Sequence, residues 1–357
     1  MNTPLRVGLL GAGWVSRAHA EGWLAVKDKA QVVAVADIDV SSADTIAALL
    51  GAHAFVDYRQ LLEREKPDAI DVCVPPHLHV EVVSSAAELG IHILCEKPLA
   101  CDMEQADRIG EKIRQSGIAY MAAHNSLFYP TVRRAKTYLE NRDLGDIRFI
   151  RTSEFPVDPA PRHWGPNPMA PVEAEAAGTW RASKSLLQGG ALMDGGFHAV
   201  YRLLYLASAK PVAVTAMMSR LGKGPRWEKW EAEDTAVVTV QFSDGSLGEA
   251  VVSYAFDSAR SMLDRLFSIA GSEGELMGNE HTLSLRPAGW EQPATQRLSP
   301  LRDRQAWRAS IAAEIEHFAD ALIQGLEPYP TYGHALETLR LVRAAYESVD
   351  QRKTVCL

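Results

Sequence analysis

Cysteine is scarce in this chain, and basic side chains are outnumbered by acidic ones. The 357 residues include four cysteines, and no two of them form a Cys-x-x-Cys pair or join a Cys/His cluster with zinc-ligand spacing. We therefore expect buried or incidental thiols in a reducing compartment and no metal site. The 37 basic and 45 acidic side chains leave a net charge of −8, which disfavours nucleic acid and membranes as partners.

Long hydrophobic runs are also missing. The run Leu5–Leu10 follows Met1–Pro4 directly and is too short for the apolar part of a signal peptide with a cleavage site. No stretch approaches the roughly 20 apolar residues of a membrane span, so we expect a cytoplasmic protein. A chain of 357 residues exceeds the usual size of a single core, which predicts two domains.

The first third of the chain alternates short apolar runs with amphipathic helical stretches. The runs are rich in Val, Ile and Leu, as strands of a buried parallel sheet are: Leu5–Leu10, Val32–Ala36, Ala69–Val74, Ile91–Cys95 and Ile118–Ala122. The helical stretches are Ser41–Leu50, Tyr58–Glu65, His79–Leu89 and Asp102–Gln115. This alternation predicts the α/β class, with a Rossmann-type, doubly wound parallel sheet that we assign to residues 1–124.

Residues 125–357 differ in pattern and are expected to form an α+β domain with an open, mostly antiparallel sheet. After the strand Ile147–Glu154, four more strand candidates follow one another without predicted helices between them: Val212–Ser219, Thr235–Phe242, Leu247–Tyr254 and Arg265–Ile269. Helices are expected at Pro130–Glu140, Gly195–Leu206, Ala306–Gln324 and Gly333–Ser348, and the last of them can pack back on the first domain. Six prolines within residues 156–171 predict a long loop, and such loops are usually functional.

A glycine-rich turn directly follows the first strand. Gly11 permits the tight turn, and Gly13 lets the backbone approach a pyrophosphate at the start of a helix that begins with Trp14 and Val15. The second strand ends at Asp37, whose carboxylate can bind both ribose hydroxyls of NAD and repel the 2′-phosphate of NADP. This context predicts NAD as the cofactor and disfavours NADP; the alternative is a glycine turn followed by a solvated aspartate.

The fifth strand ends in the sequence Cys95-Glu96-Lys97-Pro98. Ligands of open α/β sheets bind beyond the carboxyl ends of the strands, so Glu96 and Lys97 are expected at the crevice. A lysine near a nicotinamide can polarise or protonate a developing alkoxide. Taken alone, a Glu-Lys pair at a strand end is usually a surface ion pair.

With these motifs the sequence resembles the glucose–fructose oxidoreductase / inositol dehydrogenase / MocA (Gfo/Idh/MocA) family. The resemblance covers nearly the whole chain and depends on the glycine turn and on four further stretches: residues 75–79 (PPHLH), 90–99 (GIHILCEKPL), 189–198 (GGALMDGGFH) and 344–348 (AAYES). Ser16, where a third glycine or alanine is usual, and the proline-rich segment are departures from the family pattern.

The third candidate group is Asp194 with His198. Their spacing of four places both on one face of a helix that starts near Gly195-Gly196. A histidine can remove a hydroxyl proton as a hydride leaves the same carbon, and a nearby carboxylate can orient its ring. The alternative is that Asp194 caps the helix and His198 is a packed helical residue.

The resemblance implies roles for these residues. It implies that Lys97 polarises the substrate oxygen, that His198 is the general base or acid, and that Asp194 positions them or binds a neighbouring hydroxyl. It further implies that the cofactor is lined by Pro75 and His79 on the adenosine side, by Asn125 and Glu96 near the nicotinamide, and by Trp180-Arg181. Because family members pair through the outer face of the second-domain sheet, a homodimer or homotetramer is expected.

Among the remaining histidines and tryptophans, one pair is a candidate for substrate binding and the others are interpreted as structural or solvated. His163-Trp164 in the proline-rich segment is the best further candidate for substrate contact, because aromatic faces pack against sugar rings. Isolated histidines on ordinary elements, such as His19, are interpreted as structural, and Trp227 and Trp230 are expected in a solvated, partly ordered loop.

The expected function is therefore an NAD-dependent dehydrogenase that oxidises a hydroxyl-bearing carbon of a sugar, a sugar derivative or a cyclitol. One alternative is a redox-neutral, NAD-dependent enzyme that cleaves glycosides through a transient oxidation. A more distant alternative is a non-catalytic NAD-binding regulator, for which Lys97, Asp194 and His198 would occur together only by coincidence.

Overall fold

The computed structural model describes residues 4–155, 180–181, 183–223, 227–228, 230–255, 266–301 and 303–357. The chain forms two compact units. Unit 1 comprises Met1–Asn125 and Arg308–Leu336, and unit 2 comprises Ser126–Trp307 and Glu337–Leu357. Among the described helices, none is both long enough and apolar enough to span a membrane.

Unit 1 contains a six-stranded parallel sheet. Up to residue 125 its elements are β1 (Leu5–Leu10), α1 (Trp14–Ala25), β2 (Ala30–Ala36), α2 (Val40–Leu50), β3 (His53–Phe55), α3 (Tyr58–Glu65), β4 (Ala69–Val72), α4 (His79–Glu88), β5 (His92–Glu96), α5 (Met103–Ser116) and β6 (Tyr120–Ala123). The strand order is β3-β2-β1-β4-β5-β6, which is the order of the dinucleotide-binding fold. The predicted Rossmann sheet is confirmed, and the short, largely exposed strand β3 was missed because it has no apolar run.

Local signals explain where these helices begin and end. In α5, the Asp102 side chain accepts a hydrogen bond from the Gln105 amide at 2.8 Å, which satisfies one of the free amides of the first turn. The helix ends at Gly117, whose φ of 67° is left-handed and favours glycine. Both ends of α5 are therefore explained by residues next to the helix.

Unit 2 contains a nine-stranded mixed sheet. The remaining elements are α6 (Pro130–Glu140), β7 (Ile147–Glu154), α7 (Lys184–Leu187), α8 (Gly195–Leu206), β8 (Pro211–Ser219), β9 (Thr235–Phe242), β10 (Leu247–Ser253), β11 (Phe267–Gly271), β12 (Gly274–Gly278), β13 (Thr282–Pro287), β14 (Ala294–Arg297), α9 (Asp303–Gln324), α10 (Tyr332–Gln351) and β15 (Val355–Cys356). The strand order is β14-β13-β12-β11-β7-β10-β9-β8-β15. All neighbours are antiparallel except β7 and β10, which run parallel, so the expectation of a mostly antiparallel sheet is confirmed.

One face of this sheet forms the core of unit 2. Along β9, Ala236, Val238, Val240 and Phe242 are buried and alternate with residues on the opposite face, as a half-buried strand requires. Helix α8 packs on β7 and β10. The strands β12 to β14 were not predicted, because their mixed polar and apolar residues give no strong alternation.

The two tryptophans near residue 228 correct another expectation. Trp227 and Trp230 are 4% and 5% exposed, and their rings meet edge to face with centroids 5.8 Å apart. The expectation that these two side chains are solvated is wrong, because both are buried. The Trp230 ring also packs against Tyr254, with ring centroids 5.7 Å apart.

Candidate active site

The glycine turn of unit 1 leaves the start of α1 open. Gly11 has a φ of 96°, and a Cβ there would lie 2.7 Å from the carbonyl oxygen of Cys73, so the turn requires glycine. Gly13 precedes α1, and no described side chain caps the helix. The first amides of the helix, at half-buried Trp14 and Val15, and the positive end of its dipole can therefore bind an anion. A pyrophosphate fits this cradle, because no described atom lies within 4 Å of a Cβ built at Gly13.

Asp37 lies at the carboxyl end of β2 and is tied to the same turn. Its Oδ2 accepts a hydrogen bond from the Ala12 amide at 2.6 Å, and its Oδ1 accepts one from the Asp39 amide at 2.8 Å. A carboxylate has about four lone-pair positions, so the half-exposed side chain can still accept hydrogen bonds from ribose hydroxyls.

Pro75 lies in the loop after β4, and His79 is the first residue of α4. Pro75 is half-buried and precedes a short 3-10 helix, Pro76–Leu78. His79 is fully buried, and its ring nitrogens lie 3.2 Å from the carbonyl oxygen of Leu99 and 3.1 Å from that of Val74. The ring therefore supports the loop from inside. Because His79 has no exposed surface, this arrangement does not support its expected contact with the cofactor.

Glu96 and Lys97 stand at the carboxyl end of β5, as the sequence analysis expects. Glu96 Oε2 accepts a hydrogen bond from the Lys97 amide at 3.0 Å. Both side chains are half-buried. Burial lowers the pKa of His124 to about 3, and the charges of His334 and Lys97 contribute to the decrease. Lys97 is therefore close enough to affect the ionisation of His124.

His19 contacts both Asp71 and Glu96, so the expectation of an isolated histidine is wrong. Its Nδ1 is 2.8 Å from Asp71 Oδ2, and its Nε2 is 3.2 Å from Glu96 Oε1. Trp23 Nε1 also donates to Asp71 Oδ2, at 2.7 Å. Burial lowers the pKa of His19, but Asp71 and Cys73 together raise it by more, so the pKa lies well above its usual value. The ring is then an imidazolium that donates to both carboxylates and holds Glu96 in place.

Glu314 on α9 faces this group from another element. It is fully buried, and neither carboxyl oxygen has a hydrogen-bond partner among the described residues. Burial, reinforced by Glu96 and Asp71, raises the pKa of Glu314 well above its usual value, although His19 acts in the opposite direction. Glu314 is therefore held as a neutral carboxylic acid. No local sequence signal points to it, because the nearest of these neighbours in the chain, Glu96, is 218 residues away (314 − 96).

Asn125 begins a short 3-10 helix after β6, and its amide is also tied to α9. The side chain is 6% exposed, and Nδ2 donates to Ser310 Oγ at 2.8 Å. Helix α9 thus fixes the orientation of this amide beyond the carboxyl end of β6.

His19, Asp71 and Cys73 are the one metal-ligand-like group that the described residues form, with ligand atoms within 4.8 Å of one another. Burial, reinforced by Asp71, raises the pKa of Cys73 to about 12, so the thiol keeps its proton and contacts Asp71 Oδ1 at 3.6 Å. Both His19 Nδ1 and Cys73 Sγ contact the Asp71 carboxylate, so hydrogen bonds join the three side chains to one another.

In unit 2, Asp194 lies at the centre of a small polar group. Helix α8 begins at Gly195, so Asp194 precedes the helix rather than sharing a helical face with His198, and its side chain makes no described capping hydrogen bond. Instead, its Oδ2 accepts a hydrogen bond from Tyr254 Oη at 2.9 Å and lies 3.4 Å from Arg181 Nε. Arg181 stacks over the Trp180 ring, with its guanidinium carbon 4.2 Å from the centroid.

Tyr254 was not predicted as a site residue. Its hydroxyl accepts a hydrogen bond from the Gly195 amide at 2.7 Å while it donates to Asp194, so it fixes both the start of α8 and the carboxylate. Burial, reinforced by Asp194, raises the pKa of Tyr254 well above its usual value, which keeps the hydroxyl protonated and able to donate. The sixty residues between Tyr254 and Asp194 leave no local signal of the pair.

His198 lies in the first turn of α8 and contacts Tyr201. The His198 Nδ1 and the Tyr201 Oη are 2.6 Å apart. Residues three apart on a helix lie on the same side of it, so the spacing of His198 and Tyr201 is a sequence signal of this contact. The contact was not predicted.

The glycine-rich segment before α8 is anchored by a half-buried glutamate. Glu233 Oε1 accepts hydrogen bonds from the Gly190 amide at 3.1 Å, the Leu192 amide at 3.0 Å and the Tyr346 hydroxyl at 2.7 Å. Burial raises the pKa of Glu233, and the Tyr346 and amide hydrogen bonds counteract the shift. The predicted substrate contacts His163 and Trp164 lie outside the described residues.

The two parts of the chain match two descriptions of one family. Residues 5–124 match "Oxidoreductase family, NAD-binding Rossmann fold" and residues 136–357 match "Oxidoreductase family, C-terminal alpha/beta domain", both under the designation Gfo/Idh/MocA.

Similar proteins act on sugars by name. Levoglucosan dehydrogenase of Pseudarthrobacter phenanthrenivorans is 25% identical over 95% of this chain and 87% of its own length. D-xylose 1-dehydrogenase [NADP(+)] of Haloarcula marismortui is 25% identical over 100% of this chain and 94% of its own length. A solved structure of levoglucosan dehydrogenase in complex with NADH and levoglucosan has the same fold, with a TM-score of 0.85, 23% identity and 99% coverage of both chains.

Proposed function

Because this chain belongs to the Gfo/Idh/MocA family of oxidoreductases, we propose that it is an NAD-dependent dehydrogenase that oxidises a hydroxyl-bearing carbon of a sugar, a sugar derivative or a cyclitol. The observation that carries the proposal lies in one sheet of unit 1. The glycine turn after β1, the ribose-binding candidate Asp37 after β2 and the half-buried Lys97 after β5 all stand at its carboxyl edge, where such sheets bind their ligands.

Lys97 is proposed to polarise the substrate oxygen. A half-buried ammonium interacts more strongly with a developing alkoxide than an exposed one, since less water screens it. The Glu96 carboxylate accepts a hydrogen bond from the Lys97 amide and also contacts the His19 ring. These two contacts fix the turn that carries the lysine.

His198 is proposed to take the hydroxyl proton during oxidation and to return it during reduction. Neutral imidazole is a suitable base near neutral pH. Asp194 is proposed to bind a neighbouring hydroxyl or to position the reacting groups, with Tyr254 and Arg181 fixing its carboxylate. The cofactor, when bound, supplies the hydride acceptor.

NAD rather than NADP is proposed as the cofactor. The side chain of Asp37 is anchored by two backbone amides and cannot easily turn away from a 2′-phosphate, whose negative charge it would repel. The xylose dehydrogenase relative carries NADP in its name, so the cofactor preference must be measured for this chain.

The substrate class is supported by the names of relatives that match across the chain, which act on levoglucosan and D-xylose. The test is NADH formation, followed by near-ultraviolet absorbance, with purified protein and a panel of aldoses, anhydrosugars, glycosides and cyclitols. We expect turnover with NAD and at least one member of the panel, and much less with NADP. NAD binding without NADH formation from any member would contradict the proposal and favour the redox-neutral or regulatory alternatives.

A further inference from the structure

Tyr201 makes a close contact with His198 inside α8. The Tyr201 Oη and the His198 Nδ1 are 2.6 Å apart, which is at the short end of hydrogen bonds between oxygen and nitrogen. The two rings meet edge to face, with centroids 5.4 Å apart. The phenol therefore holds the imidazole through one defined ring nitrogen.

The hydroxyl of Tyr201 is itself fixed. The Ser126 amide donates to Tyr201 Oη at 3.3 Å, and Ser126 Oγ accepts a hydrogen bond from the buried Arg202 Nη1 at 3.0 Å. Tyr201 is 2% exposed, and Phe197 packs against its ring with centroids 6.4 Å apart. Because a different element holds the oxygen, Tyr201 can hold the His198 ring in place rather than follow it.

A hydrogen bond at one imidazole nitrogen determines the role of the other. We propose that Tyr201 is a positioning residue for His198, which engages Nδ1, fixes which ring nitrogen carries the proton, and so assigns proton exchange with the substrate to Nε2. This inference rests on the proposed function for the proton transfer itself. It does not depend on the identity of the sugar.

The proton balance of the step is simple. During oxidation the substrate O–H bond breaks and an N–H bond forms at His198 Nε2, while the hydrogen on carbon leaves with its electron pair to the oxidised nicotinamide of the proposed cofactor. The imidazolium then donates its Nδ1–H to Tyr201 Oη, and Tyr201 keeps its own proton. Reduction reverses each bond change.

The charged side chains near Tyr201 and His198 form ion pairs that do not involve the Tyr201 hydroxyl. Arg202 Nη2 lies 3.2 Å from Glu154 Oε2, so the charges beside Tyr201 on α8 and β7 are paired with each other. Asp194, before the helix, is paired with Arg181. The change Tyr201→Phe removes the hydroxyl and leaves both ion pairs and the ring packing.

The test compares Tyr201→Phe with Tyr205→Phe, the same change one turn later on α8. A hydrogen bond to the charged ring is stronger than one to the neutral ring, so loss of the hydroxyl favours neutral His198. In Tyr201→Phe we expect the acid limb of the kcat/KM profile for oxidation to move to lower pH by about half a unit to one unit. We also expect kcat to fall about tenfold, with NAD affinity unchanged and Tyr205→Phe like the wild type. Superimposable profiles, or the same shift in Tyr205→Phe, would overturn the inference.

A second measurement needs no turnover and is made on the wild-type protein, with a variant used only to assign one signal. In the wild-type protein labelled with ¹⁵N-histidine, with the His198 signal assigned by its loss in His198→Gln, the inference predicts one neutral ring tautomer, the one protonated at Nδ1. The mixture of tautomers typical of free histidine, or a single tautomer protonated at Nε2, would overturn it. If His198 shows one tautomer and the wild type oxidises no sugar, the proposed function fails while the positioning by Tyr201 stands. If the wild type oxidises a sugar and His198 shows a mixture, only the inference about Tyr201 fails.

Discussion

At the scale of single residues, Asp37, the proposed determinant of cofactor choice, is hydrogen-bonded to the glycine turn. The carboxylate accepts one hydrogen bond from the Ala12 amide of that turn and another from the Asp39 amide after β2. An asparagine of the same shape keeps an acceptor for one of these amides but loses the negative charge. The substitution therefore removes the charge together with one of the two hydrogen bonds, so its effect is compared with that of the same change at a neighbouring aspartate.

We expect Asp37→Asn to lower the ratio of kcat/KM with NAD to that with NADP by about ten- to hundredfold, because one repulsive charge near the 2′-phosphate is removed. Steady-state kinetics with both cofactors measures the ratio. The control is Asp39→Asn, which makes the same charge change at the cap of α2, where asparagine also caps well. An equal effect of the two substitutions, or none from Asp37→Asn, would refute the role of Asp37.

Lys97 and His198 provide the second test at this scale. We expect Lys97→Met and His198→Gln each to lower kcat by about a hundredfold or more, since each removes a proton-transferring or polarising group. NAD affinity, measured by calorimetry, should stay close to that of the wild type. The control is Lys112→Met, which removes an exposed cation that pairs with Glu88. Loss of NAD binding in both active-site variants would instead indicate a structural role.

At the scale of elements, α9 brings an uncharged acid into the core of unit 1. Unfolded Glu314 ionises near the usual value of a glutamate, whereas folded Glu314 keeps its proton to a higher pH. Between these values the unfolded state binds fewer protons. The free energy of unfolding therefore falls as pH rises, by up to about 1.4 kcal/mol per pH unit.

We expect Glu314→Gln to flatten this dependence, so that the stability of the variant relative to the wild type increases with pH. Urea unfolding at about pH 5 and about pH 8 measures the difference. Glu327→Gln, in the exposed loop after α9, is the control and should leave the slope unchanged. The contribution of His19 has the same sign, since its raised pKa stabilises the fold below its usual pKa and is lost as pH rises through the folded value. A variant with the wild-type slope would show that Glu314 is ionised in the folded protein.

The elements also show where sequence patterns suffice. Helix α5 has a capping aspartate and a terminal glycine, so its two ends are encoded within a few residues. Strand β14 has four exposed residues at the edge of its sheet, and its pairing with β13 is what makes it a strand. An edge strand of this kind has little burial pattern to detect.

At the scale of the whole molecule, the face of the unit 2 sheet opposite α8 carries exposed apolar side chains. In register across four strands, Phe149, Leu247, Gln241 and Ala213 share one face, and Met217 lies on that face further along β8. Met217 is 80% exposed, Leu247 43% and Phe149 38%. An exposed apolar sheet face is typical of a surface that another protein covers.

We propose that this face joins copies of the chain into a homodimer or homotetramer. Light scattering of the purified protein should give two or four times the mass of one chain. Met217→Lys should shift the equilibrium towards a smaller species, because burying an unpaired ammonium is costly. The control Leu326→Lys places the same charge at another exposed apolar residue, 59% exposed in unit 1, and should leave the mass unchanged. A wild-type monomer would refute the proposal.

The sequence by itself determined the classes of structure and the cofactor cradle. The Rossmann sheet, the mostly antiparallel second sheet and the glycine turn depend on patterns that repeat or complete themselves within a few residues, because burial on a strand, helix capping and tight turns are local requirements. Only the tertiary structure decided how the candidate catalytic residues are supported. Three contacts show this: His19 holds Glu96, the neutral Glu314 lies beside both, and Tyr254 fixes Asp194. Each contact joins residues that are tens to hundreds of positions apart in the chain. Their protonation states follow from burial and neighbouring charge, which no run of sequence contains.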